Sequence, residues 1–96
     1  TIPGSVTKIG AFAFSGCDQL NNVSISVGVT EIGVSAFNEC VCLEKIVLPE
    51  GMTTIGALAF CKCIKLSEIT IPESVIEIGD SAFYKCPIQM ERDTNL

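Results

Sequence analysis

Ninety-six residues, 48% of them apolar, supply enough hydrophobic material for one small folded unit rather than a disordered chain. Six Lys and Arg against eleven Asp and Glu give a net charge of -5, which disfavours nucleic acid as a partner, because phosphate backbones are bound by cations that displace counterions. No His is present, so the commonest proton-transfer group near neutral pH is missing, and no apolar run approaches the roughly 18 residues that a helix needs to span a bilayer.

The chain opens on Thr1-Ile2-Pro3, in the middle of a phrase that recurs downstream, which leaves room for a signal, an anchor or further repeats outside it. The first full phrase, SVTKIGAFAFSGC from Ser5 to Cys17, returns as GVTEIGVSAFNEC, GMTTIGALAFCKC and SVIEIGDSAFYKC. A shift of 23 residues aligns Ile9, Ile32, Ile55 and Ile78, and likewise four Gly, four Ala, four Phe and four Cys. Such a period predicts a solenoid, since one unit has too little apolar surface to enclose itself and needs neighbours above and below.

Within the unit, Thr7-Lys8-Ile9 and its copies read as a short extended piece that ends at the repeated Gly. That Gly is expected either to adopt a left-handed backbone or to admit a closely approaching one at a corner. The next segment, Ala11 to Gly16 and its copies, sets Ala and Phe beside each other before the Cys. It is too short for an independent helix and is expected to form one helical or 3₁₀ turn held by its neighbours.

After the column Leu20, Leu43 and Leu66, the alternation seen in Ile46-Val47-Leu48 predicts the principal strands over 22–25, 45–48 and 68–71. Pro49 and Pro72 follow directly, where a missing amide harms the ladder least, and Ser26 stands at the equivalent place. In-register stacking at about 4.8 Å puts Phe14, Phe37, Phe60 and Phe83 in one interior file. After Cys86 the register fails, with Gln89, Arg92 and Thr94 at positions that were apolar before. Residues 1–88 therefore read as about four coils, the first incomplete, and 89–96 as an off-register tail or cap. Further repeats or a partner chain are expected over the apolar coil ends.

The phrases LEKIVLPEGMTTIGALAFCKC and LSEITIPESVIEIGDSAFYKC resemble the BspA-like leucine-rich repeats, also called the Treponema pallidum type, with a pattern close to L-x-x-I-x-I-P-x-x-V-x-x-I-G-x-x-A-F-x-x-C. The resemblance covers residues 1–88, with Ser26 for Pro, Met52 for Val and Ile76 for Thr as coil-to-coil variation. It implies a leucine-rich-repeat solenoid of short parallel β-strands. It also implies a non-enzymatic, adhesin-like segment of a cell-surface or secreted protein that binds a protein partner. The alternative is a structural or assembly subunit of a larger complex.

Cys17, Cys40, Cys63 and Cys86 are read as small buried hydrophobes filling one line of the core. Parallel stacking brings their sulfurs close without guaranteeing the torsion of a disulfide. Cys42 and Cys61 create Cys40-Val41-Cys42 and Cys61-Lys62-Cys63, which lack both the usual zinc-ligand spacing and a His. No metal or cofactor is expected. A disulfide through Cys42 or Cys61 stays open; the plainer alternative is an accessible thiol at Cys61, whose equivalents Ser15, Asn38 and Tyr84 read as outward-looking. Glu50 with Glu73, and Glu31 with Glu77, repeat with the coil and read as solvated surface rather than an acid and base pair.

The outward positions of the principal sheet form two columns, Asn22-Lys45-Glu68 and Ser24-Val47-Thr70, a mixed strip without a basic stripe or an aromatic cage. These six residues are the expected partner-binding face. Lys45 with Glu68, and Lys8 with Glu31, fall side by side on adjacent strands, and Asn22-Val23-Ser24 matches the N-linked acceptor pattern.

Overall fold

A computed structural model of the chain describes residues 5–87. The expectations for the boundary at 88 and for the tail at 89–96 lie outside the described residues. Apolar side chains spaced two apart and bounded by turn residues yield strands of only two or three residues, so each gains its ladder from the coils beside it. Strands β1 (Lys8–Ile9), β3 (Glu31–Ile32), β5 (Thr54–Ile55) and β6 (Glu77–Ile78) form one parallel sheet in that order. Its register advances by one phrase per step, with Ile9 opposite Ile32, Ile32 opposite Ile55 and Ile55 opposite Ile78.

The second sheet pairs β2 (Asn22–Ser24) with β4 (Lys45–Val47), also parallel, with Val23 opposite Ile46. The strand expected over 68–71 is reduced to a single bridge, Lys45 to Glu68. The reason is visible in the ladder. Between the first two coils the Ile25 amide donates to the Val47 carbonyl at 3.1 Å, and one coil later the equivalent bond from Leu48 to Thr70 is not made among the described residues. The sheet opens after one rung.

The expected helical or 3₁₀ turns are not present: among the described residues there is no helical segment of either kind. The Ala-Phe segment is instead a chain of β-turns. Ala13, Ser15 and Cys17 donate to the carbonyls three residues back, Gly10, Phe12 and Phe14, at 3.1–3.2 Å. The amides between them leave the coil, Phe12 to Val34, Phe14 to Ala36 and Gly16 to Asn38, at 2.7–2.9 Å. A 3₁₀ run needs successive local bonds, and here every second donor is taken by the next coil. The same alternation recurs from Ser35 to Cys40 and from Leu58 to Cys63.

The turns also need a left-handed residue at their third position, as type II turns do. Phe12, Ser35, Leu58 and Ser81 hold φ of 57–61°, and Glu39, Lys62 and Lys85 hold 60–65°. These are sites where the backbone of an L-residue is costly, and the inter-coil bonds on either side hold them there.

Of the two roles open to the repeated Gly, close approach is the one used; none of Gly10, Gly33, Gly56 and Gly79 has a positive φ. A Cβ at Gly56 would sit 2.7 Å from the Gly33 carbonyl carbon and the Val34 amide nitrogen. Behind this corner the Phe file is the core's spine. Ring centroids lie 5.2 Å apart for Phe14 and Phe37, and 5.3 Å apart for the two pairs that follow, with interplanar angles of 14°, 2° and 5°. Phe37 and Phe60 are fully buried, while Phe14 and Phe83 in the outer coils are partly buried.

Candidate functional site

The strip on the second sheet is built by alternation. In β2 and β4 the central Val23 and Ile46 turn into the core, which sends Asn22, Ser24, Lys45 and Val47 outward. Glu68 and Thr70 continue the same two columns, both exposed. The surface they make is concave. One depression of about 270 Å³ is lined by Asn22, Val23, Ser24, Lys45 and Val47. A second, of about 320 Å³, is lined by Lys45 to Leu48, Glu50, Glu68 to Thr70 and Pro72. Lys45 and Val47 belong to both, so the six residues expected from the sequence lie along one continuous trough.

The larger depression lies where the ladder opens between β4 and the 68–71 segment. There the Leu48 amide and the Thr70 carbonyl have no partner among the described residues. Val47 is the apolar centre, 47% exposed. Lys45 and Glu68 approach to 3.8 Å with both side chains more than half exposed, a pairing worth well under about 1 kcal/mol, so a ligand can separate them at little cost. Glu50 was read from the sequence as solvated turn, yet it contributes to the trough wall. Its position follows from the type II turn at Pro49 to Met52, in which Gly51 takes φ of 95°, and Pro49-Glu50-Gly51 directly after a strand was the signal available. Lys8 and Glu31, at 3.3 Å, sit on the other sheet and take no part.

The cysteine column has a polar role beyond filling space. The thiols of Cys40, Cys63 and Cys86 donate to the carbonyls of Phe14, Phe37 and Phe60 in the preceding coil, at 3.1, 3.1 and 2.9 Å. Burial pushes the Cys40 thiol up to about 11. The neighbouring Cys86 thiol, and then burial, raises Cys63, and the neighbouring Cys63 thiol lowers Cys86. All six cysteines are free thiols. The accessible thiol expected at Cys61 is corrected: Cys61 is 5% exposed. It belongs to a middle coil covered from both sides, whereas Tyr84, its equivalent in the last described coil, is 52% exposed. Among the described residues no three His, Cys, Asp or Glu side chains gather as metal ligands, and no helix there is long and apolar enough to cross a membrane.

A family model described as a BspA-type leucine-rich repeat region in six copies matches residues 1–92. No match was found among curated proteins. Among solved structures, a leucine-rich repeat protein from Bacteroides ovatus superposes with a TM-score of 0.83 and 37% identity over 86% of this chain and 22% of its own. A leucine-rich repeat protein of T. pallidum gives 0.55 and 29% identity over 82% of this chain and 48% of its own. The chain thus spans less than half the length of either solved protein.

Proposed function

The chain belongs to the BspA-type leucine-rich repeat family, and on that premise we propose that its trough recognises a protein partner as part of an adhesin-like protein at the cell surface or in secreted form. As a repeat module of this family it is a binding and structural element and not an enzyme. The observation that carries the proposal is the continuity of the trough. Asn22, Ser24, Lys45, Val47, Glu68 and Thr70 border two depressions that share an exposed apolar residue, Val47, between charged neighbours. Protein interfaces concentrate their energy in such central apolar anchors inside a polar rim.

Val47→Asp is therefore expected to weaken binding of the native partner more than about tenfold, or about 1.4 kcal/mol. Ile76→Asp, at an 84% exposed site in another column, is expected to leave it unchanged. Titration of both variants by calorimetry checks this, and equal affinities for Val47→Asp and the parent chain would remove the assigned face.

The second reading is an assembly role, favoured by the coil faces. Ala11, Ala13 and Ser15 present carbonyls, and Ser81, Phe83 and Lys85 present amides, that lack partners among the described residues, although their equivalents in the middle coils are bonded to a neighbouring coil. Further coils or a partner chain on those faces would complete the pattern.

A further inference from the structure

We propose that the opened ladder beneath the larger depression binds a primary carboxamide, the side chain of an Asn or Gln carried by the partner. The inference rests on the reading of the trough as a partner-binding face, and names the chemical group that the partner brings to it. The opening is bounded. On one side the Ile46 amide reaches the Glu68 carbonyl at 3.1 Å, and the Glu68 amide reaches the Glu44 carbonyl at 3.2 Å. On the other the Gly51 amide donates to the Ser74 hydroxyl at 3.1 Å. Between these bonds four main-chain groups lack partners among the described residues: the amides of Leu48 and Thr70, and the carbonyls of Ile46 and Thr70.

The same groups line the depression. Ile46, Leu48 and Ile69 belong to the wall of this space of about 320 Å³ although their side chains are buried in the core, so what they present to it is main chain. Such groups are costly to leave unpaired away from water. A ligand that satisfies them supplies what the missing rung does not.

Two donors and two acceptors make up the set, and that mixture selects the ligand. A carboxylate only accepts, and an ammonium or guanidinium only donates, so either leaves half of the set unpaired. A primary carboxamide carries an acceptor oxygen and two N–H donors on neighbouring atoms. Its oxygen takes a proton from the Leu48 or Thr70 amide while its nitrogen donates to the Thr70 or Ile46 carbonyl. A main-chain segment is excluded by width. A strand needs a lane of about 4.8 Å along its whole length, which the bonds at Glu68 and Ser74 close off. The tip of a side chain enters from the trough, past Val47 and Thr70, which are exposed at its rim.

The test is an NMR titration of the isotope-labelled 96-residue chain with capped tripeptides, acetyl-Gly-X-Gly-N-methylamide, in which X is Gln, Glu or Met. The three share a backbone, so differences between them report the side chain. The Gln peptide is expected to shift the Leu48 and Thr70 amide resonances saturably and to slow their exchange with solvent. The Glu and Met peptides are expected to bind at least about tenfold more weakly, since a site that hydrogen-bonds one group rejects an analogue that leaves its polar groups unpaired. Equal binding of the three peptides would overturn the proposal. So would Gln shifts confined to other residues, or Leu48 and Thr70 amides already protected in the free chain, the sign of a closed ladder. The Val47→Asp titration separates the two levels. No Gln response, with partner binding still dependent on Val47, removes the carboxamide site alone; a Gln response at Leu48 and Thr70, with partner binding independent of Val47, keeps the site and removes the partner reading.

Discussion

Phe60→Ala is expected to lower the free energy of unfolding by about 3–5 kcal/mol, the largest loss of any single side-chain truncation in the chain. The ring is fully buried and stacked on both faces, with Phe37 and Phe83 each 5.3 Å away. Its backbone is tied to the following coil, where the amide donates to the Ala82 carbonyl and the carbonyl accepts the Cys86 thiol besides the Cys63 amide. The preceding coil is held by the bonds from Phe37 N to Ala59 O and from Cys63 Sγ to Phe37 O. With both neighbouring coils held by such bonds, the cavity has no easy way to collapse, and incomplete collapse is what places a truncation at the costly end of its range. In a stack where each unit touches only its neighbours, the gap also weakens two interfaces at once. Phe83→Ala removes the same ring from a partly buried position with one stacked neighbour among the described residues, and a smaller loss is expected. Urea denaturation of the two variants checks the order.

Gly79→Ala is the second large effect, and its sign depends on the coil. A Cβ at residue 79 would lie 2.3 Å from the Ala57 nitrogen, 2.6 Å from the Ala57 Cα and 2.8 Å from the Gly56 carbonyl carbon. These are backbone atoms of the preceding coil, fixed by the Gly79 amide bond to the Ile55 carbonyl at 2.8 Å. Relief requires the two coils to move apart at their corner, and overpacking of this kind costs about 1–3 kcal/mol, occasionally more. Gly10→Ala is the same substitution in the same column, but its Cβ meets no described atom within 4 Å. With a negative-side φ that Ala adopts freely, it is expected to be neutral or to add about 0.4–1 kcal/mol by restricting the unfolded chain. In thermal melts against the parent, Gly79→Ala should lower the midpoint, while Gly10→Ala should leave it unchanged or raise it.

The stacking order was legible in the sequence because each buried column repeats one residue type at one interval. Ile9, Ile32, Ile55 and Ile78 could pair in only one register without turning their strands inside out. The turns were not legible, because the Ala-Phe segment has a local composition that suits a helical turn, and nothing within it signals that alternate amides are drawn to the next coil. Nor does Leu58 or Lys62 advertise a positive φ, as Gly16 does; that backbone is imposed by bonds across the stack. Cys61 was misread for a related reason. Burial in a solenoid depends on how many coils lie on either side, and a column that opens to water at Tyr84 is closed at Cys61. Of the trough, alternation within β2 and β4 placed the outward side chains, while the opening of the ladder at Leu48 and Thr70, which gives the trough its depth, depends on bonds that composition does not encode.

Neighbouring coils, more than any local preference, hold each turn in shape, and residue-resolved amide hydrogen exchange by NMR tests this most directly. The amides of Leu58, Phe60 and Lys62, which donate to the next coil, should exchange slowly. Those of Ser81, Phe83 and Lys85, in the same turns but without an acceptor among the described residues, should exchange at least about tenfold faster, as expected for donors outside the cooperative ladder. Equal protection of the two sets would mean that the turns sustain themselves, and would contradict the account.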